Sequence, residues 1–138
     1  MDNIERVQDL EWLHRWKEKQ IIKVVTGVRR CGKSTLFEMF QKDLLASGVQ
    51  RGQIHAVNFE DLEYEDHLDY RSLYRDIRDR LVPDRMNYIF LDEIQHVDQY
   101  QKAVDSLFLR ENCDVYITGS GAADGSAEFI SGKSTLSE

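Results

Sequence analysis

Gly27-Val28-Arg29-Arg30-Cys31-Gly32-Lys33-Ser34 is the stretch on which the reading of the fold turns. It satisfies G-x-x-x-x-G-K-[ST] without a mismatch. Ahead of it, Ile21-Ile22-Lys23-Val24-Val25-Thr26 is short and rich in β-branched residues, which predicts a strand that Gly27 ends. Behind it, Leu36, Phe37, Phe40, Leu44 and Leu45 recur at helical spacing between Lys33 and Ala46, and Ser47-Gly48 stops the run. A chance glycine turn would lack this strand-before, helix-after context. The glycines let the backbone turn and come close to a polyanion, and the loop amides and helix N-terminus aim donors at it. Gly27, Val28, Arg29, Arg30, Cys31, Gly32, Lys33, Ser34 and Thr35 therefore predict a cradle for a nucleoside triphosphate. Within it Lys33 places a positive charge between the β- and γ-phosphates, and Ser34 offers a hydroxyl to Mg²⁺.

A second piece is Tyr88-Ile89-Phe90-Leu91-Asp92-Glu93, an apolar strand that delivers two carboxylates at its end. Taken alone, Asp-Glu after a strand also reads as a helix cap with an acidic first turn. Joined to the glycine loop, it predicts a strand lying beside the first one, with Asp92 holding Mg²⁺ through water. Glu93, one residue on, is placed to polarise an attacking water as general base. Thr118 and Ser120 end a further strand, where a polar side chain senses a γ-phosphate or simply marks a turn.

Between these motifs the periodicity switches regularly. Strands are expected at 54–59, 87–91 and 114–118, with helices at 70–81, closed by Pro83, and at 99–109. An amphipathic helix is expected over 4–19, with Trp12 and Trp16 on one face as core or as a partner-facing patch. Strands alternating with helical crossovers imply an α/β fold, a three-layer α/β/α arrangement on a mostly parallel sheet, with ligands at the carboxyl ends of the strands. The expected division is an N-terminal helix at 1–20, a nucleotide-binding core at 21–120, and a flexible or aberrant tail at 121–138 rich in Gly, Ala and Ser. Gly132-Lys133-Ser134-Thr135-Leu136 echoes the earlier loop but lacks its first glycine and a leading strand, so it is a decoy.

Composition sets the outer bounds. The chain has 138 residues, 41% of them hydrophobic, and suits one domain with a packed core. A net charge of −7 gives no general support for nucleic-acid binding, although a local basic strip is compatible with it. The acidic run Glu60, Asp61, Glu63, Glu65, Asp66 and Asp69 reads as a solvated loop edge or a dock for a basic partner. Cys31 and Cys113 lack metal-ligand spacing, and reduced thiols are the simplest reading. His14, His55, His67 and His96 show no paired metal spacing; His96 lies near the acid pair, where a capping or surface role is expected. The acidic N-terminus is no signal peptide and no segment reaches bilayer length, so a cytoplasmic location without membrane contact is expected.

Val25 to Leu36, Val57-Asn58-Phe59-Glu60-Asp61, Phe90-Leu91-Asp92-Glu93-Ile94-Gln95 and Ile117-Thr118-Gly119-Ser120, in that order and spacing, resemble a prokaryotic AAA-type P-loop ATPase family. The resemblance covers about residues 5–120. It implies ATP and Mg²⁺ as ligands, Glu93 as catalytic base, Ser120 at the first sensor position, and a larger protein with a nuclease-like C-terminal domain. The chain departs from the family pattern at Gly121, where asparagine is usual, and at Ser131-Gly132-Lys133, where lysine replaces arginine. It is expected to lack the fifth core strand, leaving the sheet open beside the first strand and prone to association. Three functions follow on this fold: an ATPase module, a nucleotide-binding interaction module without turnover, and a small-molecule phosphotransferase. The Asp92-Glu93 pair favours the first. Partners on that reading are ATP and a protein or a second copy of the chain.

Overall fold

A computed structural model describes residues 10–11, 13–15, 17, 22–25, 32–59, 69–119 and 133–136. The strands are β1 (Ile22–Val25), β2 (Ile54–Asn58), β3 (Asn87–Asp92), β4 (Cys113–Thr118) and β5 (Lys133–Leu136). The helices are α1 (Gly32–Ala46), α2 (Tyr70–Arg80) and α3 (Tyr100–Phe108). All strand pairings are parallel, in the order β2-β3-β4-β1-β5.

Local chemistry explains the boundaries. α1 ends where Gly48 takes φ +109, and the Val49 N–H then closes back on the Leu44 carbonyl at 3.0 Å. A residue with a side chain would be strained in that left-handed cap. α2 starts on Asp69, whose carboxylate accepts from the Arg71 N–H at 3.3 Å. It stops at Arg80, before Pro83. The following turn is tied by Asn87, whose side-chain amide donates to the Val82 and Arg85 carbonyls at 3.0 and 3.1 Å. Its Oδ1 accepts from the Val82 N–H at 2.9 Å.

The period-two alternation of the strands divides the interior. Ile22, Val24, Val57, Ile89, Leu91, Val115 and Ile117 face α2 and α3, meeting Leu73, Ile77, Ala103, Val104 and Leu107. Tyr88, Phe90 and Tyr116 face α1, meeting Leu36, Phe37, Phe40 and Leu44, with Leu13 joining that cluster. The Phe37 and Phe40 rings sit 5.1 and 6.0 Å from Phe90 in edge-on contact, and Phe90 stacks on Tyr116 at 4.8 Å. Every residue of β3 and β4 is buried, as the central strands of a sheet covered on both faces must be.

Two expectations are corrected. The strand carrying Asp92 does not lie beside β1, because β4 is inserted between them. The tail is not without structure throughout: Lys133–Leu136 pairs with β1, in register Lys23↔Ser134 and Val24↔Thr135, and covers the edge expected to be open. The Lys133-Ser134 echo is thus extended strand, the opposite of the helix start that a phosphate-binding loop needs. Of the expected N-terminal helix, residues 10, 11, 13–15 and 17 are described; all but Lys17, which lies in a turn, are helical. Among the described residues no helix is long and apolar enough to cross a membrane.

A buried ion pair ties β1 to β4. Lys23 Nζ donates to Asp114 Oδ1 at 2.5 Å, with the two side chains 0% and 1% exposed. Tyr116 donates its hydroxyl to the other carboxylate oxygen at 2.7 Å, and Lys23 lies 5.1 Å over the Tyr116 ring. Next to it, burial pushes the Cys113 thiol up to about 11, opposed by Arg110 and reinforced by Asp114. That is an inert, protonated side chain at neutral pH.

Candidate functional site

The site lies at the carboxyl ends of β3 and β4. β3 runs Tyr88, Phe90, Asp92 along the face that α1 covers, so Asp92 emerges on the α1 side of the sheet. Thr118 follows Tyr116 in the same way on β4. The Thr118 hydroxyl donates to Asp92 Oδ1, and both side chains are buried, at 0% and 6% exposure. The same hydroxyl oxygen accepts the Glu93 N–H at 3.0 Å. One threonine therefore fixes the carboxylate and the backbone of the residue after it.

Glu93 leaves the strand in the left-handed region, φ 59 and ψ 48. For a residue with a Cβ this costs about 1 kcal/mol, and the bond to Thr118 offsets it. The turn swings the chain from β3 into a short 3-10 turn, Ile94–His96, anchored by buried Ile94. Gln95, on that turn, donates from Nε2 to Glu93 Oε1 at 2.7 Å. Its Oε1 is enclosed with no hydrogen-bond partner among the described residues. That oxygen occupies the space over Gly119: a Cβ on residue 119 would stand 2.5 Å from it. Gly119 thus leaves room for the Gln95 amide where it meets Glu93, and a side chain at 119 would push that amide aside.

The rest of the predicted set falls as follows. Gly32, Lys33, Ser34 and Thr35 form the first turn of α1. Gly27, Val28, Arg29, Arg30 and Cys31, and Ser120, lie outside the described residues. His96 is exposed, in keeping with a surface role. Gln95 and Gly119 had no role assigned from sequence, although both stand inside quoted motifs. No spacing rule marks a glutamine two residues past a carboxylate as its partner.

Levels along the α1 side can be compared. Phe40 and Phe37 climb α1 toward its N-terminus while both rings rest on Phe90. One turn above Phe37 is a rise of about 5.4 Å, which reaches Lys33. Two strand residues above Phe90 is about 6.6 Å, which reaches Asp92. By this ideal-rise count the first turn of α1 and Asp92 lie toward the same end of one face, with Thr118 beside Val25 in the β4–β1 register.

Among the described residues no group of three or more His, Cys, Asp or Glu could hold a metal on its own. The donor set still suits Mg²⁺, which is held by one or two carboxylates completed by phosphates and water. Asp92 is buried with Oδ1 held by Thr118, and Glu93 is adjacent.

Comparison with known proteins agrees with the geometry. The chain is 36% identical over 120 residues to an uncharacterized protein of Haemophilus influenzae, covering 86% of this chain and 30% of that protein. It thus spans about 30% of the length of that relative. A DNA polymerase III gamma subunit-related protein from Thermotoga maritima superposes with a TM-score of 0.65 at 12% identity, over 94% of this chain and 45% of its own. Drosophila ORC bound to GC-rich DNA and Cdc6 gives a TM-score of 0.63 at 15% identity, over 96% and 54%. These structures share the fold. An AAA domain family model matches residues 19–137, from before β1 through β5. With its parallel sheet and a family model that matches from residue 19 through β5, the chain belongs to the AAA domain family of P-loop ATPases.

Proposed function

We propose that this chain is an ATPase module that binds MgATP between the first turn of α1 and the carboxyl ends of β3 and β4. The observation that carries the proposal is the Thr118–Asp92–Glu93 cluster at the carboxyl ends of β3 and β4, on the face of the sheet that α1 covers. A helix N-terminus presents unpaired N–H groups and a partial positive charge, and a triphosphate brings the complementary anion. On this reading residues 27–33 wrap the phosphates, Lys33 neutralises charge between the β- and γ-groups, and Ser34 with Asp92 holds Mg²⁺. The cation, when bound, offsets negative charge on the phosphate oxygens.

Glu93 is the general base. Its carboxylate is oriented by the hydrogen bond it accepts from Gln95 and is proposed to take a proton from water. The water oxygen attacks the γ-phosphorus, the bond to the β–γ bridging oxygen breaks, and ADP and inorganic phosphate result. Ser120, just beyond β4, is assigned to the γ-phosphate. A binding module without turnover is the second reading, and the same experiment separates the two.

Calorimetric titration with MgATP and a phosphate-release assay test this together. Lys33→Ala should abolish saturable heat; unchanged affinity would remove the site. Glu93→Gln should keep affinity while turnover falls by about 10²- to 10⁴-fold, the usual worth of a positioned base. Equal turnover in Glu93→Gln would remove Glu93 from the chemistry, and binding with no turnover in the parent chain would select the second reading.

A further inference from the structure

On the face opposite α1, α2 and α3 leave a cleft of about 250 Å³ between them. Its lining is unlike the rest of this acidic chain. Arg71, Arg75 and Arg78 enter it from α2 and Lys102 from α3, around Tyr70 and Tyr74. Each tyrosine is approached by cations from two directions. Arg71 and Lys102 lie 5.1 and 5.2 Å from the centre of the Tyr70 ring. Arg78 and Arg110 lie 6.0 and 5.9 Å from that of Tyr74. Arg110 also donates to the Tyr74 hydroxyl, from Nε at 3.3 Å and from Nη2 at 3.1 Å.

The carboxylates on α2 cancel this charge only in part. Asp79 takes Arg78 at 3.1 Å, and Asp76 takes Arg80 at 3.5 Å. Among the described residues, Arg71, Arg75 and Lys102 form no ion pair. Arg71 and Arg75 are one helical turn apart and Arg78 a further turn on, a row about 10 Å long at 1.5 Å per residue. Such a row spans two or three successive phosphates of an extended strand. The tyrosines hold the cations in place before any ligand arrives, which lowers the ordering cost of binding.

We propose that the α2–α3 cleft binds the phosphate backbone of single-stranded nucleic acid. Guanidinium forks match phosphate oxygens in geometry as well as charge. With the tyrosine faces already approached by cations, base stacking contributes little, and recognition is independent of sequence. A net charge of −7 argued against nucleic acid for the chain as a whole. The cleft concentrates cations on one face, and local potential, not net charge, decides such contacts.

The test is fluorescence anisotropy of labelled dT and dA 20-mers with the 138-residue chain. Binding is expected with Kd on the order of 10⁻⁵ M and equal for the two oligomers within about threefold. The slope of log K against log salt should be about −2 to −3, from three or four phosphate contacts at about 0.7 each. The triple variant Arg71→Glu/Arg75→Glu/Lys102→Glu, whose changes are all on exposed side chains, should lose at least tenfold in affinity while its melting temperature holds. Lys33→Ala should bind the oligomers as the parent does, which separates this cleft from the nucleotide site. No binding, equal binding by the triple variant, or loss of binding in Lys33→Ala would overturn the proposal. So would displacement of the oligomer by polyglutamate at equal charge concentration, which would show an acidic-protein dock instead.

Discussion

Glu93 owes its position to two neighbours and to its own backbone conformation, each acting on a different part of it. Thr118 holds its N–H, Gln95 holds its carboxylate, and the left-handed backbone turns it out of the strand. The Gln95 contact depends in turn on the bare Cα of Gly119. Gln95→Ala and Gly119→Ala should therefore share a phenotype, one by deleting the clamp and the other by displacing it. With the carboxylate no longer fixed, the turnover number should fall by about 10-fold or more, since small misplacements of a reacting group are costly. The KM for ATP should stay unchanged, because neither residue is assigned to the phosphates. Steady-state phosphate release over a range of ATP concentrations reads both parameters, and a raised KM at constant kcat would show Gln95 to be a binding contact instead. Asp92 and Glu93 were visible in the sequence because a carboxylate pair at the end of an apolar strand is a local pattern. Gln95 was not, because its meaning depends on Gly119, which follows another strand, β4.

Element boundaries were read closely from periodicity and punctuation. Helices expected at 33–46, 70–81 and 99–109 occur at Gly32–Ala46, Tyr70–Arg80 and Tyr100–Phe108. What periodicity could not show is how β1 and β4 recognise each other. Lys23 interrupts an otherwise apolar strand, and from sequence a lysine there is simply an anomaly. Its partner Asp114 lies far along the chain, and only the β1–β4 register, Lys23↔Tyr116, brings the two together. A buried pair of this kind is costly to halve. Lys23→Met or Asp114→Leu alone should destabilise the fold by about 3–5 kcal/mol, because each leaves a desolvated group without its counterpart. The double change Lys23→Met/Asp114→Leu should recover much of that loss, since an apolar replacement of both partners is often neutral. Urea denaturation of the four chains gives the cycle. Single variants within about 0.5 kcal/mol of the parent would show that the ion pair plays no part in stability.

The central strands define what the sheet can do as a whole, but its order is a global property that no local signal carries. The α/β alternation predicted parallel strands; it did not place β4 between β1 and β3, nor β5 beyond β1. β5 was the harder strand to find. Lys133-Ser134-Thr135-Leu136 has no apolar alternation of its own, and its strand state follows from the ladder β1 offers, register Ile22↔Lys133 to Val25↔Leu136. That pairing matters beyond stability, because β1 leads directly into the glycine loop. An uncovered β1 edge would present unpaired N–H and C=O groups to other chains, beside the segment proposed to receive phosphate. Removing residues 121–138 should therefore convert a monodisperse solution into one with growing aggregates on light scattering, and should lower the melting temperature. The four-strand order β2-β3-β4-β1 retains both core clusters apart from β5, so residual secondary structure by circular dichroism should persist. If the shortened chain melts with the parent and scatters as a monomer, the β1–β5 pairing carries no weight in solution, and the edge is protected by other means.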